Sequence, residues 1–121
     1  MHKILIAFLL SAFCLLAGDV SGKWSGTMKP NGEENAGPAF LVLKQEGAEL
    51  KGSAGFNESQ QHPIESGKVE GDRIRFEIKV GEKGTISFDL KLDGDQISGD
   101  LKMVRDAESR TATLSVQRVK S

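Results

Sequence analysis

Several residue types on which catalytic and metal sites are commonly built are scarce in this sequence. It contains one cysteine, Cys14, together with two histidines, one tryptophan and no tyrosine. A single cysteine excludes an intramolecular disulfide, and His62, the one histidine beyond the N-terminal segment, does not make a structural zinc site without several carboxylates. The net charge of −1, with both signs interspersed, argues against binding to nucleic acid or to an acidic membrane surface. No serine lies in a Gly-x-Ser-x-Gly elbow, so we expect no enzyme, no cofactor and no metal.

Long apolar runs are also absent, except near the N-terminus. Lys3 precedes the apolar residues 4–16, and Ala17 and Gly18 supply small residues before Asp19. This order of positive charge, apolar run and small residues is typical of a secretory signal peptide. The run is shorter than the roughly 20 residues that a membrane-spanning helix needs.

We therefore predict a signal-peptide helix over residues 1–18 and one domain over 19–121, which is secreted or periplasmic and has no membrane span of its own. An uncleaved anchor is the alternative. A lipoprotein anchored at Cys14 is disfavoured, because the bulky Phe13 precedes it and the apolar run continues beyond it. Since the one cysteine leaves with the signal, the core of the domain must supply its stability without a disulfide.

The rest of the chain alternates between apolar and polar residues with period 2, which is the pattern of half-buried β-strands. In the clearest run, residues 73–80, one face carries Ile74, Phe76, Ile78 and Val80. No segment after the N-terminal run shows helical periodicity, so the domain is predicted to be all-β. Seven other runs show the same alternation: 20–28, 38–45, 49–54, 63–70, 85–92, 96–103 and 111–119.

Eight strands joined by turns predict a single eight-stranded antiparallel up-and-down barrel, because closing the sheet buries the apolar faces and removes both open edges. A β-sandwich is the alternative. The phase change at Ser66-Gly67 within the 63–70 run predicts a β-bulge. The longer connections 29–37, 57–62 and 104–108 all fall at one end of such a barrel, so we expect an open mouth there and a compact floor at the other end. Glycines at inward positions suit sharp strand coiling: Gly22, Gly26, Gly52 and Gly99.

The first predicted strand carries Gly22-x-Trp24, and the last strand carries Arg118 in the inward phase. This pattern resembles the calycins, the lipocalin and avidin group of ligand-binding barrels, in which a tryptophan of the first strand packs at the closed end. In lipocalins an arginine from the last strand lies across that tryptophan. The resemblance implies a structural floor of Gly22, Trp24 and a buried Arg118, whose charge is compensated by the indole face and by backbone carbonyls. The hairpin over 43–52 also resembles small, uncharacterised secreted bacterial domains, and this second resemblance implies the fold alone.

The candidate ligand-binding residues lie in or near the inward phase at the open end: Met28, Phe56, His62 and Met103. Soft, adaptable side chains of this kind line promiscuous apolar sites, and they also plug small barrels, so both interpretations stay open. As a general base or metal ligand His62 is disfavoured, because it lies in a polar loop before Pro63, where a solvated residue is expected. The acidic residues of 93–100 are interpreted as a hairpin rather than a calcium loop, because an EF-hand needs flanking helices and a terminal glutamate.

Taken together, these patterns predict an extracytoplasmic, non-enzymatic binding module that takes a small apolar or amphipathic ligand through the mouth of the barrel. The alternative is a protein-interaction or inhibitor domain, whose outer loops bind an extracellular protein and whose barrel is filled by side chains.

Overall fold

The computed structural model describes residues 19–119, and this part of the chain consists of antiparallel β-strands joined by turns. The predicted signal peptide over 1–18, with Cys14, lies outside the described residues. Within the described part, no helix is long and apolar enough to cross a membrane. The strands are β1 (Gly22–Pro30), β2 (Gly37–Glu46), β3 (Glu49–Asn57), β4 (Gln60–Pro63), β5 (Glu65–Glu70), β6 (Arg73–Val80), β7 (Gly84–Asp93), β8 (Gln96–Arg105) and β9 (Glu108–Arg118).

The sheet closes on itself. Each strand from β5 to β9 pairs with the next, β9 pairs with β1, β1 with β2, and β2 with β3. Strands β4 and β5 both pair with β3, so they together occupy one strand position, and the barrel is eight-stranded. The interruption between them falls at Ile64, just before the predicted bulge, where Ser66 has a φ of 53° and the register with β6 shifts between Glu65 and Lys68. The predicted up-and-down barrel is therefore confirmed, and the sandwich alternative is wrong.

The alternation of side chains places the core inside the barrel. On β6, Ile74, Phe76 and Ile78 are buried, whereas the intervening Arg75 and Glu77 are exposed. No polar or charged residue is buried within residues 19–119, so the core of this part is wholly apolar. The buried side chains are Val20, Trp24, Ala39, Leu41, Leu43, Leu50, Ala54, Val69, Ile74, Phe76, Ile78, Phe88, Leu90, Ile97, Leu101, Ala112, Leu114 and Val116.

Two of the three predicted long connections are in fact tight turns, and this prediction was wrong. Only the β1–β2 connection is long, over residues 31–36. Glu58 and Ser59 alone join β3 to β4, because the Asn57 side-chain oxygen accepts hydrogen bonds from the backbone N–H groups of Ser59 and Gln60 and so closes the turn. At the β8–β9 turn, Asp106 adopts a left-handed φ of 56°, which lets both strands run further than the sequence pattern indicates.

Strand coiling depends on glycines where neighbouring backbones come close. A Cβ atom at Gly26 would overlap the carbonyl oxygen of Ser115 on β9. A Cβ atom at Gly99 would overlap the carbonyl oxygen of Asp89 and lie 2.7 Å from the Cα atom of Leu90 on β7. Any side chain at these positions would push apart neighbouring strands of the barrel.

Replacing Gly99 by alanine should therefore lower the free energy of unfolding by about 1–3 kcal/mol, the usual range for overpacking. Gly37→Ala is the matched control, because a Cβ atom there meets nothing within 4 Å and its φ is not in the left-handed region. The control should lose no stability. Urea unfolding followed by the emission of Trp24 measures both variants, and equal stabilities would contradict the close approach at Gly99.

Candidate functional site

The two ends of the barrel differ, and the floor is closed by Trp24. Its indole is fully buried, and its Nε1–H donates a hydrogen bond to the carbonyl oxygen of Val20 at 3.0 Å. The antiparallel register of β1 and β9 places Trp24 opposite Arg118. The guanidinium carbon of Arg118 lies 4.4 Å from the centroid of the indole ring, within the range of a cation–π contact. The structure thus brings together the residues that the calycin resemblance suggests.

Arg118 also ties the chain termini of the barrel to a hairpin turn. It donates hydrogen bonds to the carbonyl oxygens of Ser21 at 2.8 Å and Asp19 at 3.2 Å, and to a carboxylate oxygen of Asp95 at 3.0 Å. The side chain of Arg118 stays 30% exposed, so the expectation of a buried arginine is corrected to a half-buried one. Water and the Asp95 carboxylate share the compensation of its charge with the carbonyls.

Gly22 makes room for this arrangement. Its φ of 135° is one that residues with a side chain rarely adopt, and a Cβ atom built there would lie 3.3 Å from Nη1 of Arg118. A larger residue at this position would have to strain the backbone and displace the guanidinium. Gly22 therefore belongs to the floor through its backbone rather than through a side chain.

Four further residues, Val20, Ser21, Gln45 and Asp95, complete the floor, and the sequence analysis did not predict their contacts. Val20 is fully buried, its backbone N–H donates to the side-chain oxygen of Gln45 at 3.0 Å, and the backbone N–H of Gln45 donates to the hydroxyl of Ser21 at 2.9 Å. Asp95, predicted as part of the 93–100 hairpin, is exposed as a turn residue, and its carboxylate also binds Arg118. Its neighbour Gln96 pairs with Gln117, so the register of β8 with β9 brings Asp95 beside Arg118.

The pKa of the Asp19 carboxyl lies below its usual value. The main cause is a hydrogen bond from the backbone N–H of Ser21 at 2.9 Å. The Ser21 hydroxyl and the Arg118 guanidinium lower this pKa further, while slight burial opposes them. The first described residues therefore carry a negative charge beside Arg118 at neutral pH.

The opposite end of the barrel holds an apolar cavity of about 100 Å³. All four candidate binding residues, Met28, Phe56, His62 and Met103, line it, although they come from β1, β3, β4 and β8. Phe56 is 55% exposed and Met103 is 37% exposed, so both lie at the rim, whereas Met28 packs against the core. The rest of the lining comes from Pro38, Ala39, Leu41, Ala54, Gly55, Ile78, Val80, Ile86, Phe88, Leu101 and Leu114.

The chemistry of this lining is simple. Among the described residues that line the cavity, His62 supplies the one polar side chain, and it is half-buried rather than solvated in a loop. It sits on β4, paired with Ala54 of β3, so it shares the inward face with that residue. Ala39 and Ala54 are the reason for the space, since both are buried at positions where other strands carry Leu, Ile or Phe. The cavity can hold an apolar group and offers one hydrogen-bonding side chain at its edge.

A wider groove of about 520 Å³ runs over the outer faces of β6 to β9. Arg75 in its lining lies 3.7 Å from the carboxylate of Asp89, which also binds Arg73 at 3.2 Å, and the charged side chains of Glu77, Asp100 and Lys102 line the groove as well. The hydrogen bond from Arg73 is the main cause that lowers the pKa of Asp89. The groove is an open outer face, whereas the cavity is a concave space lined almost entirely by apolar side chains, which is the usual form of a small-molecule site. The cavity is therefore the better candidate site.

Within residues 19–119, no three or more His, Cys, Asp or Glu residues lie close enough together to hold a metal ion. No buried side-chain polar atom of this part lacks a hydrogen-bond partner. No protein-family model matches the chain, and comparisons with curated proteins and with solved structures found no significant match.

Replacing Arg118 by alanine should lower the free energy of unfolding by about 2 kcal/mol, because three charge-assisted hydrogen bonds and the contact with Trp24 are lost. The stability of Arg118→Lys should fall between those of Arg118→Ala and the wild type. An ammonium group keeps the charge but lacks the planar guanidinium geometry that donates to all three acceptors. Exposed Arg110, near the other end of β9, is the control, and its replacement by alanine should change stability by less than about 0.5 kcal/mol. Thermal and urea unfolding measure the stability of all three variants. An unchanged unfolding midpoint for Arg118→Ala would show that Arg118 does not stabilise the floor.

Proposed function

We propose that this protein is an extracytoplasmic, non-enzymatic binding module that takes a small apolar or amphipathic molecule into the mouth of a calycin-like barrel. The observation that carries the proposal is the apolar cavity of about 100 Å³ at the end opposite the closed floor. Trp24 and Arg118 seal one end, so a ligand enters from the other end only. The signal-peptide pattern of residues 1–18 supports export of the domain.

The size of the cavity limits what enters. Pockets that enclose a whole small molecule measure roughly 300–1,000 Å³, and an apolar cavity of roughly 150 Å³ holds benzene. A cavity of about 100 Å³ therefore takes only the end of an apolar chain or a small substituent, and the remainder of the ligand extends through the mouth. Met28 and Met103 are unbranched and polarisable, so they can adjust to different apolar ends.

The rim favours a ligand that stays in contact beyond the cavity. Phe56 and Met103 are large apolar side chains that remain exposed where most of the core is covered. Exposed apolar surface next to an apolar cavity marks a binding site more often than an isolated exposed side chain does. A ligand that covers Phe56 and Met103 gains burial that the cavity alone does not provide.

A protein-interaction or inhibitor domain is the second candidate function. The observation in its favour is that Val104, at 39%, is exposed on the outer face of β8 near the same end, so that apolar surface lies both at the rim and outside the barrel. In that case the cavity is only imperfect packing, and blocking it has no effect on binding. The experiment below separates the two functions.

The test is the binding of N-phenyl-1-naphthylamine, a neutral apolar dye whose emission rises on leaving water. Wild-type protein should bind it saturably, and Ala54→Leu should weaken binding at least tenfold, because the larger side chain fills the cavity that the buried Ala54 lines. Thr113→Leu is the matched control, since Thr113 is exposed on the outer face of β9. Urea unfolding of both variants checks that they are folded. No saturable binding, or equal binding by Ala54→Leu, would exclude the cavity as a ligand site.

A further inference from the structure

The inward face of the β8–β9 hairpin continues above the cavity as a charged surface. Leu101 of β8 pairs with Ala112 of β9 in the core, and the next inward pair toward the hairpin tip is Met103 with Arg110. Arg105 and Glu108 form the last inward pair before the turn, since both residues share the alternation of Met103. The apolar wall of the barrel therefore passes directly into a cluster of charged side chains.

These residues border a depression of about 280 Å³, which we call the rim depression and which is lined by Met103, Arg105, Glu108 and Arg110. Met103 also lines the barrel cavity, so the two spaces share a wall. A molecule whose apolar end occupies the cavity and whose other end extends past Met103 meets Arg105 and Arg110.

The charge state of the two arginines distinguishes them from the others in the chain. Of the five arginines in the sequence, Arg73, Arg75 and Arg118 each contact a carboxylate. Among residues 19–119, Arg105 and Arg110 have no carboxylate within 4.0 Å of their guanidinium groups. Glu108 likewise has no Lys, Arg or His nitrogen within 4.0 Å of its carboxylate. Their guanidinium groups are thus free to bind an anion.

The balance of charge in this cluster is positive. Two arginines outweigh Glu108, and the nearby turn residues Lys83 and Asp106 neutralise each other at 3.9 Å. Guanidinium groups bind carboxylate and phosphate oxygens through two parallel hydrogen bonds, which an exposed lysine does not match. An anionic group beside Met103 would be partly shielded from water by its own apolar chain, and this shielding strengthens the ion pair.

We propose that the ligand of the barrel is an anionic amphiphile with a single apolar chain. The end of the chain enters the cavity beside Met28 and Met103, and the carboxylate or phosphate head binds Arg105 and Arg110 in the rim depression. This inference rests on the proposed function, since it names the class of ligand that the same mouth takes. Glu108 opposes the head group and tunes the affinity downward.

The experiment uses ligands with one common chain. Decanoate, decyl phosphate, decanol and decyltrimethylammonium, each below its micelle concentration, compete with bound N-phenyl-1-naphthylamine. Wild-type protein should bind decanoate and decyl phosphate at least tenfold more tightly than decanol, and should bind the cation most weakly. Raising the salt concentration should weaken only the two anions, because exposed ion pairs are screened.

Variants assign the selectivity to residues. Arg105→Gln/Arg110→Gln should reduce decanoate affinity about tenfold and leave decanol unchanged, whereas Glu108→Gln should raise decanoate affinity a few-fold. Lys68→Gln/Lys102→Gln is the matched control, because it removes the same net charge from exposed positions, and Lys102 lies on β8 with its side chain in the opposite phase to Met103. The control should bind all four ligands as the wild type does.

The outcomes separate this inference from the proposed function. If the dye and decanol bind but decanoate binds no more tightly, the anion preference is wrong and the apolar site stands. If neither the dye nor any decyl ligand binds, both proposals fail. Binding to phosphatidylglycerol vesicles without binding to monomeric decanoate or decyl phosphate would also overturn the inference, since it would indicate a membrane surface instead of a single-chain ligand.

Discussion

The pairing of the last strand with the first is the contact on which the rest of the molecule depends. Arg118 of β9 lies across the indole of Trp24 on β1 and holds the carbonyls of Asp19 and Ser21 and the carboxylate of Asp95. Without this closure, each of the eight strand positions would expose an apolar face, and the sheet would have two open edges. Because the described part of the chain has no cysteine, closure and core packing alone must hold the fold.

Closure also makes the two ends of the barrel different. At the floor, the buried side chains of Trp24 and Val20 fill the interior, and hydrogen bonds among Ser21, Gln45, Asp95 and Arg118 surround them. At the mouth, β2 and β3 contribute the small side chains of Ala39 and Ala54, and the interior is not filled. A closed barrel with one filled end and one incompletely filled end has a single entrance, which is why the binding proposal concerns the mouth alone.

The mouth combines an apolar surface with a charged one, and these two surfaces come from residues that are not related in the sequence pattern. Met103 belongs to the apolar lining, while Arg105 and Arg110 belong to a hairpin that looks, in the sequence, like a solvated turn. The register of β8 with β9 aligns them on one face, so a single molecule can contact both. This register, more than the composition of any one segment, is what relates the apolar and charged parts of the proposed site.

Strand positions, the inward residues and the bulge at Ser66 followed from the sequence, because the alternation of side chains has a period of two residues and is a local property. The calycin resemblance suggested the meeting of Trp24 with Arg118, and an antiparallel closed sheet makes that meeting geometrically necessary. Local patterns failed at the connections, where the side chain of Asn57 and the left-handed conformation of Asp106 shortened turns that had looked like loops.

Only the tertiary structure decided the volume of the cavity and the partners of Arg118. A cavity is the difference between the space that eight strands enclose and the volume of side chains from all of them, so no single segment specifies it. The contact between Asp95 and Arg118 joins residues that lie far apart in the sequence, and it exists because the β7–β8 turn reaches the same floor as the end of β9. The sequence by itself determined which residues point inward, since that depends on neighbouring residues alone; the closed sheet determined which of them meet.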